Sequence, residues 1–225
     1  MTQEAAVAVQ PPAAPLTDGG VILRTFAERD IDAVIHACND PDVARWLPAL
    51  PHPYSESDAR AYVRSRPAGF ELGTELSFAV VDAQDRLLGS AGIPRRDPFN
   101  GVSEIGYWVA PWARGQGVAT AAVRLLVEWA FDGVGDGRVE LMAAPANTAS
   151  CRVAEKAGLR FEGVLRGREA TREGSRRDLA VYGLLATDAR AAADPQVAGD
   201  ARAAADVRPA ADARPAGDVR PPAGR

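Results

Sequence analysis

Two glycines, Gly115 and Gly117, lie where an aromatic strand passes into a long apolar-periodic helix, and this junction constrains the fold more than any other segment. The strand is predicted over 104–108 and the helix over 119–131, where apolar residues recur at helical spacing. Backbone N–H groups in the first turn of a helix have no intrahelical partner and lie at the positive end of the helix dipole. The junction therefore predicts an anion-binding loop of the kind that holds a phosphate.

Two other phosphate-binding loops do not fit this segment. The sequence contains no Gly-x-x-x-x-Gly-Lys-Ser/Thr run, so a P-loop is not supported. The segment also lacks the three glycines of a dinucleotide fingerprint, and no strand followed by a glycine-rich turn occurs near the start of the chain. The simpler alternative is an ordinary tight turn between a strand and a helix.

The composition of the chain limits its classes of function. Its 225 residues include 26 basic and 30 acidic side chains, and the net charge of −4 argues against a general nucleic-acid binder. Two cysteines and two histidines give no metal-ligand spacing, so we expect free thiols and no metal. No apolar run is long enough to span a membrane, and the N-terminus does not resemble a secretion signal. We expect a cytoplasmic monomer or homodimer that binds neither membrane nor nucleic acid.

Composition also divides the chain into three parts. Over residues 188–225 aspartate recurs at every sixth position from Asp188 to Asp218, and most of these aspartates are followed two places later by arginine. The apolar residues here are almost all alanine and prolines interrupt any helix, so the segment cannot bury enough surface to offset its ordering entropy. We expect a disordered tail here, a flexible tail over 1–19, and one folded domain over 20–187.

The order of predicted elements defines the fold class. Hydrophobic periodicity predicts strands over 21–26, 77–81, 86–93, 104–109, 139–143, 160–165 and 178–185, and helices over 30–38, 55–66, 119–131 and 147–158. A helix between the fourth and fifth strands implies that these two are parallel, whereas the other strands form hairpins. The chain is therefore expected to be an α/β (α+β) domain with a mixed, mostly antiparallel central sheet and flanking helices.

Three separated motifs resemble the GCN5-related N-acetyltransferase (GNAT) family. They are the loop Arg-x-x-Gly-x-Ala at 114–119, the segment 147–163 that begins Asn-x-x-Ser, and the opening Leu-Arg-Thr-Phe at 23–26. The opening and the strand at 104–108 are similar to the branch that acetylates the N-termini of ribosomal proteins (RimJ/RimL type). The resemblance implies the GNAT fold, in which the fourth and fifth strands splay apart, and acetyl transfer from acetyl-CoA to an amine.

The resemblance also implies which residues bind acetyl-CoA. The pyrophosphate is expected against the backbone N–H groups of the loop and first helical turn, formed by Arg114, Gly115, Gln116, Gly117, Val118, Ala119 and Thr120. Backbone groups of Trp108 and Val109 would bind the pantetheine arm between the splayed strands and polarise the thioester carbonyl. Asn147 would bind pantetheine, cap its helix, or both. The alternatives are that Trp108 serves only core packing and that the Arg114 side chain is a solvated charge.

An attacking amine must lose a proton and the leaving thiolate must gain one. Glu104 resembles the acidic position that relatives use as the base; the alternative is an exposed charge at a strand edge. Many relatives use a tyrosine as the acid, but Ala154 occupies that position here, and the ribosomal-protein branch implies Ser150 instead. Ser150 is equally well explained as a residue of the first helical turn. Cys151 has no histidine near it in sequence, which favours a packed thiol over a covalent acetyl-enzyme.

The leading acceptor is the α-amino group of a ribosomal-protein or other polypeptide N-terminus. A small amine, such as an aminoglycoside or a polyamine, is the second possibility. A catalytically weak acyl-CoA sensor, whose tail recruits a partner, is the third. We expect the first two helices and the loop at 166–177 to bind the acceptor, although they contain no recognisable signature.

Overall fold

A computed structural model describes residues 8–193 as an eight-stranded sheet with flanking helices. The strands are β1 (Leu16–Asp18), β2 (Val21–Arg24), β3 (Leu76–Val81), β4 (Leu87–Asp97), β5 (Val102–Val109), β6 (Arg138–Ala143), β7 (Arg160–Ala170) and β8 (Arg176–Leu185). The α-helices are α1 (Ile31–Cys38), α2 (Pro41–Trp46), α3 (Glu56–Leu72), α4 (Val118–Trp129), α5 (Thr148–Lys156) and α6 (Ala186–Ala193). Within residues 8–193, no helix combines the length and the apolarity needed to cross a bilayer.

The sheet has the order β1-β2-β3-β4-β5-β6-β8-β7, and all neighbours are antiparallel except β5 and β6. These two strands are the fourth and fifth of the sequence prediction, and α4 connects them. Their pairing ends at Ile105 and Leu141, although β5 continues to Val109 and β6 to Ala143. The strands therefore part at their C-terminal ends. The predicted mostly antiparallel sheet with one splayed parallel pair is confirmed.

Helices pack against both faces of the sheet. On one face Val123 of α4 packs in the same core as Ile105 of β5, and both are almost completely buried. On the other face Val34 of α1 lies in a second core. Successive residues of a strand point to opposite faces, so Tyr107 packs on the α4 side and Trp108 on the α1 side.

Helices α2 and α3 differ from the sequence prediction. The short α2 was not predicted, because six residues are too few for a periodic apolar pattern; its cap Asp40 accepts the N–H groups of Asp42 and Val43, each at 3.1 Å. The prediction that α3 ends at 66 is wrong, because the helix continues through Pro67 to Leu72. The added turn buries Phe70 in the core, which offsets the hydrogen bond that proline cannot donate.

The structure also differs from the expected domain boundaries. Val9 is buried and donates to the Phe70 carbonyl at 3.0 Å, and β1 pairs with β2, so part of the stretch expected as a flexible tail belongs to the fold. At the other end α6 runs across the boundary expected after 187, and the compact unit that holds the sheet ends at Ala189. The remaining tail predictions, for 1–7 and 194–225, lie outside the described residues.

Candidate active site

A 3-10 turn over Pro111–Ala113 and two glycines connect β5 to α4. Gly115 and Gly117 have φ values of +74° and +79°, in the left-handed region that other residues adopt only with strain. A Cβ atom at either position would meet nothing within 4 Å. The backbone conformation, and not crowding, therefore requires glycine, and the surface of the loop is open.

The first turn of α4 has free N–H groups, as the sequence predicted. Ala121 is the first residue to donate in the helical pattern, to the Gly117 carbonyl at 3.1 Å. In the part of the chain that the structure describes, the N–H groups of residues 115–120 have no protein acceptor. They lie at the positive end of a 12-residue helix, so this turn can hold an anion such as a phosphate.

Side chains of the loop are engaged within the protein. The Arg114 guanidinium forms ion pairs with Asp40 and, at 3.3 Å, with Asp42 at the start of α2. Burial opposes ionisation of Asp40, but the hydrogen bond from Arg114 and two backbone amides outweigh it and hold the pKa of this carboxyl below its usual range. Gln116 donates to the Trp112 carbonyl at 3.0 Å. Arg114 thus connects α2 to the anion loop through its Nη1 and Nη2 atoms.

Beyond the β5–β6 pairing, β5 has an open edge that faces a gap between the two strands. The Ala110 N–H donates to the Leu88 carbonyl of β4 at 2.8 Å. Because polar groups alternate in direction along a strand, the N–H and C=O of Val109 point the other way, into the gap. The Trp108 carbonyl oxygen points to β4, since a Cβ at Gly89 would lie 2.3 Å from it. Of the two residues expected to bind pantetheine, only Val109 directs its backbone groups into the gap.

Tyr107 and Ser150 meet beside this gap. The Tyr107 Oη and Ser150 Oγ atoms are 2.7 Å apart, and the Asn147 side chain accepts the Ser150 N–H at 3.2 Å as the cap of α5. Burial raises the pKa of Tyr107 to about 12, against a smaller opposing effect of the hydrogen bond to Ser150. The phenol is therefore protonated at neutral pH. The sequence analysis gave Tyr107 no catalytic role, although its position on the same face as Ile105 could have indicated contact with α5.

Glu104 lies on the opposite face of β5. It is three positions from Tyr107, so strand alternation directs the two side chains to different faces. Arg95 binds both carboxylate oxygens of Glu104, at 2.7 and 2.9 Å. That hydrogen bond and, to a smaller extent, the nearby charge of Glu169 raise the pKa of Arg95. The structure therefore does not bring Glu104 and Ser150 together on one face, and Arg95 holds both oxygens of the Glu104 carboxylate.

An open cleft of about 830 Å³ adjoins the end of β6. Three segments form it: α2 with the loop that follows, residues 144–146, and the tip of the β7–β8 hairpin. Arg177 of β8 holds the hairpin against α2, because its guanidinium pairs with Glu169 and donates to the carbonyls of Arg45 and Trp46 at 3.1 and 3.0 Å. The segment 166–177, expected to be a loop that contacts the acceptor, instead consists of the ends of β7 and β8 and the turn over 171–175, because the two strands continue pairing to Ala170 and Arg176; it meets α2 at this cleft.

Cys38 and Cys151 are free thiols. Cys38 is buried, which raises its pKa to about 12. The sulfur of Cys151 lies 3.8 Å from the Ala144 carbonyl oxygen and packs against the core, in agreement with a packed thiol. Among residues 8–193, no group of three or more cysteine, histidine or acidic side chains is arranged to hold a metal ion.

Comparisons with known proteins agree with this geometry. A family model described as "Acetyltransferase (GNAT) domain" matches residues 21–160. The chain is 27% identical to the "Uncharacterized N-acetyltransferase p20" of Bacillus licheniformis over 164 residues, which cover 72% of this chain and 91% of that protein. It is 29% identical to the ribosomal-protein-serine acetyltransferase of Escherichia coli (strain K12) over 115 residues, 51% of this chain and 64% of that protein.

The fold is also similar to that of solved structures. RimL, a ribosomal L7/L12 alpha-N-protein acetyltransferase solved in complex with coenzyme A, matches with a TM-score of 0.68 and 19% identity. The match covers 78% of this chain and 99% of RimL, and at this identity it shows a shared fold.

Proposed function

Because the chain belongs to the acetyltransferase (GNAT) family, we propose that this N-acetyltransferase transfers the acetyl group of acetyl-CoA to the α-amino group of a polypeptide N-terminus. The transfer would occur by direct attack of the amine in a ternary complex. The observation that carries the proposal is the gap between β5 and β6, which combines an open strand edge with a neighbouring anion loop and a Tyr–Ser pair. One relative is named for acetylation of a ribosomal protein, which supports a polypeptide acceptor. RimL was solved with coenzyme A, which supports acetyl-CoA as the donor.

The backbone would bind most of the acetyl-CoA. The N–H groups of residues 115–120 would hold the pyrophosphate, whose charge suits the positive end of α4. The polar groups of Val109 would bind the pantetheine arm in the gap, and its N–H would polarise the thioester carbonyl. Asn147 uses its side-chain oxygen to cap α5 and keeps its NH2 group for pantetheine.

Ser150 would assist the departure of the thiolate. Its hydroxyl lies beside the gap, where Tyr107 fixes its direction through the 2.7 Å contact. A phenol with a pKa of about 12 is a weaker acid than a thiol, whose pKa is about 8.5. Tyr107 therefore positions Ser150 and remains protonated, while Ser150 would donate a hydrogen bond that stabilises the departing thiolate, and the thiolate would then take its proton from water.

Glu104 would receive the proton of the amine, on the other face of the sheet. Arg95 holds its carboxylate, so the proton would pass through a bridging water or after the ion pair opens. An α-amino group has a pKa of about 8 and a lysine side chain about 10.4. At neutral pH a much larger fraction of the α-amine is therefore already neutral. A base restrained by an ion pair thus suits a polypeptide N-terminus better than a more basic alkylamine. This acceptor and the cosubstrate both occur in the cytoplasm, where we propose that the enzyme works.

An acceptor panel tests the proposal. Release of free coenzyme A is followed with peptides that have a free N-terminus, the same peptides with a formylated N-terminus and an internal lysine, spermidine and an aminoglycoside. We expect turnover only where a free N-terminus is present, and mass spectrometry should find the acetyl group on the α-amine. Turnover confined to spermidine or the aminoglycoside would indicate small-amine acetylation. Tight coenzyme A binding without turnover on any amine would indicate an acyl-CoA sensor.

A further inference from the structure

The acceptor cleft next to β6 is rich in arginine. The charged side chains that line it are four arginines and two carboxylates: Arg45, Arg172, Arg176, Arg177, Glu173 and Asp178. Guanidinium groups bind carboxylates in a two-pronged geometry and repel cations, so an excess of arginine selects a partner by its charge.

Both carboxylates of the cleft already have local partners. Asp178 accepts the N–H of Gly167 at 2.7 Å. The pKa of Glu173 lies below its usual range because its own backbone N–H and then the Thr171 side chain donate to it. Within residues 8–193, neither carboxylate forms an ion pair with an arginine of the cleft. The charges of Arg172 and Arg177 lower the pKa of Glu173 further, so this carboxylate offsets part of the positive charge, but arginines still outnumber carboxylates in the cleft.

Three of the four arginines form no ion pair with a carboxylate in the described part of the chain. Arg45 lies over the ring of Trp46, with 4.9 Å between its guanidinium carbon and the ring centre. Arg172 donates to two carbonyls of the loop after α2 through one nitrogen, Nη2, and Arg176 donates to one carbonyl through Nε. All three side chains are exposed and keep N–H groups for a ligand. Arg177 differs, because Glu169 neutralises it.

The cleft is placed to receive the part of an acceptor that follows its amine. Residues 144–146 line it, and they come directly after β6 and directly before Asn147, the cap of the helix that carries Ser150. An amine at the gap would therefore have its next residues in the cleft. We propose that the cleft selects polypeptide N-termini with aspartate or glutamate in their first few residues. This inference rests on the proposed function and specifies its acceptor.

Matched peptides test this selectivity. They share one N-terminal residue and length, and have Asp, Asn or Lys at the second and third positions. Affinity for the enzyme–coenzyme A complex is measured by calorimetry, and kcat/KM by coenzyme A release. We expect the Asp peptide to bind and react about tenfold better than the Asn peptide, as for hydrogen bonds to charged groups, and the ratio to fall with added salt. Equal values for Asp and Asn, or a preference for Lys, would overturn the inference.

Substitutions locate the effect in the cleft. Arg45→Gln and Arg176→Gln should each reduce the Asp-to-Asn ratio severalfold, and the double variant should reduce it further. Arg64→Gln is the matched control, because Arg64 is also exposed but lies on α3, where it pairs with Glu28 at 3.3 Å. It should keep the ratio of the unmodified enzyme. An unchanged ratio in the double variant would assign any preference to another surface.

The two measurements separate this inference from the proposed function. Acetylation of all peptides without a preference for Asp would refute only the cleft assignment. Arginine-dependent binding of the Asp peptide without acetylation of any peptide would refute the proposed reaction and leave the cleft as a binding site for acidic N-termini.

Discussion

Gly117 offers a direct test of the anion loop. It is the cap of α4 with a φ of +79°, and a Cβ would meet nothing within 4 Å, so a side chain has room but strains the backbone. That strain costs about 1–2 kcal/mol. For a domain of this size we expect Tm to fall by about 2–8 °C, equally in Gly117→Glu and in the uncharged, size-matched Gly117→Gln.

Glutamate at this position adds a negative charge where the pyrophosphate would bind. With the carboxylate about 5 Å from the phosphate and an effective dielectric constant of about 20, the repulsion is about 3 kcal/mol. This corresponds to binding on the order of 10²-fold weaker for Gly117→Glu than for Gly117→Gln. The glutamine variant has the same strain and nearly the same bulk, so the ratio of the two affinities isolates the charge.

Calorimetry with coenzyme A measures these affinities, and thermal unfolding followed by circular dichroism measures the strain. The difference between Glu and Gln should shrink at high salt, because ions screen charges on an exposed loop. Equal affinities for the two variants, or an unchanged affinity for Gly117→Glu, would show that the amides of residues 115–120 do not hold the pyrophosphate.

The other predictions concern the proton path and the core. Tyr107→Phe should lower turnover, measured by coenzyme A release, at least tenfold. The control Tyr62→Phe removes a similar Tyr–Ser contact on the other face and should leave turnover unchanged. The turnover rate should rise with pH as the amine deprotonates near about pH 8. It should not fall before about pH 10, because burial raises the pKa of Tyr107 to about 12 and the phenol stays protonated. A fall in rate at lower pH that Tyr107→Phe abolishes would contradict this. Glu104→Gln should lower turnover on the order of 10²-fold, with partial recovery at high pH and unchanged affinity for coenzyme A; full activity at neutral pH would exclude it as the base. Asp136→Asn removes the buried partner of Arg96 and should cost about 3–5 kcal/mol, seen as a lower Tm with turnover retained at low temperature.

The sequence predicts those parts of the site that depend on local chain geometry. The glycine loop, the free amides of α4 and the cap Asn147 each depend on a few consecutive residues, whose spacing carries the signal. The parallel pairing of β5 and β6 also follows from sequence, because a helix between two strands requires a crossover. The backbone contacts implied by the resemblance are predictable for the same reason, since they do not depend on the identity of distant side chains.

The side-chain partnerships of the site could not be predicted in this way. Tyr107 and Ser150 are 43 positions apart, and Arg114 meets Asp40 across 74 positions. A hydroxyl, a carboxylate or a guanidinium forms such pairs with many candidates, so composition and periodicity do not choose among them. The short α2 leaves no periodic pattern at all, and its position shapes both the ion pair with Arg114 and the acceptor cleft.

The separation of the proposed acid and base follows from the geometry of a strand. If the acyl group is held in the gap between β5 and β6, as proposed, it would lie near the plane of the sheet, and the attacking amine and the group that stabilises the sulfur could approach it from opposite faces. Glu104 and Ser150 are placed in this way. Tyr107, which positions Ser150, is three positions from Glu104 on β5, and an odd separation along a strand places Glu104 on one face and the Tyr107–Ser150 pair on the other. The position of Glu104 away from Ser150 thus agrees with direct attack, in which the two protons move on different sides of the sheet.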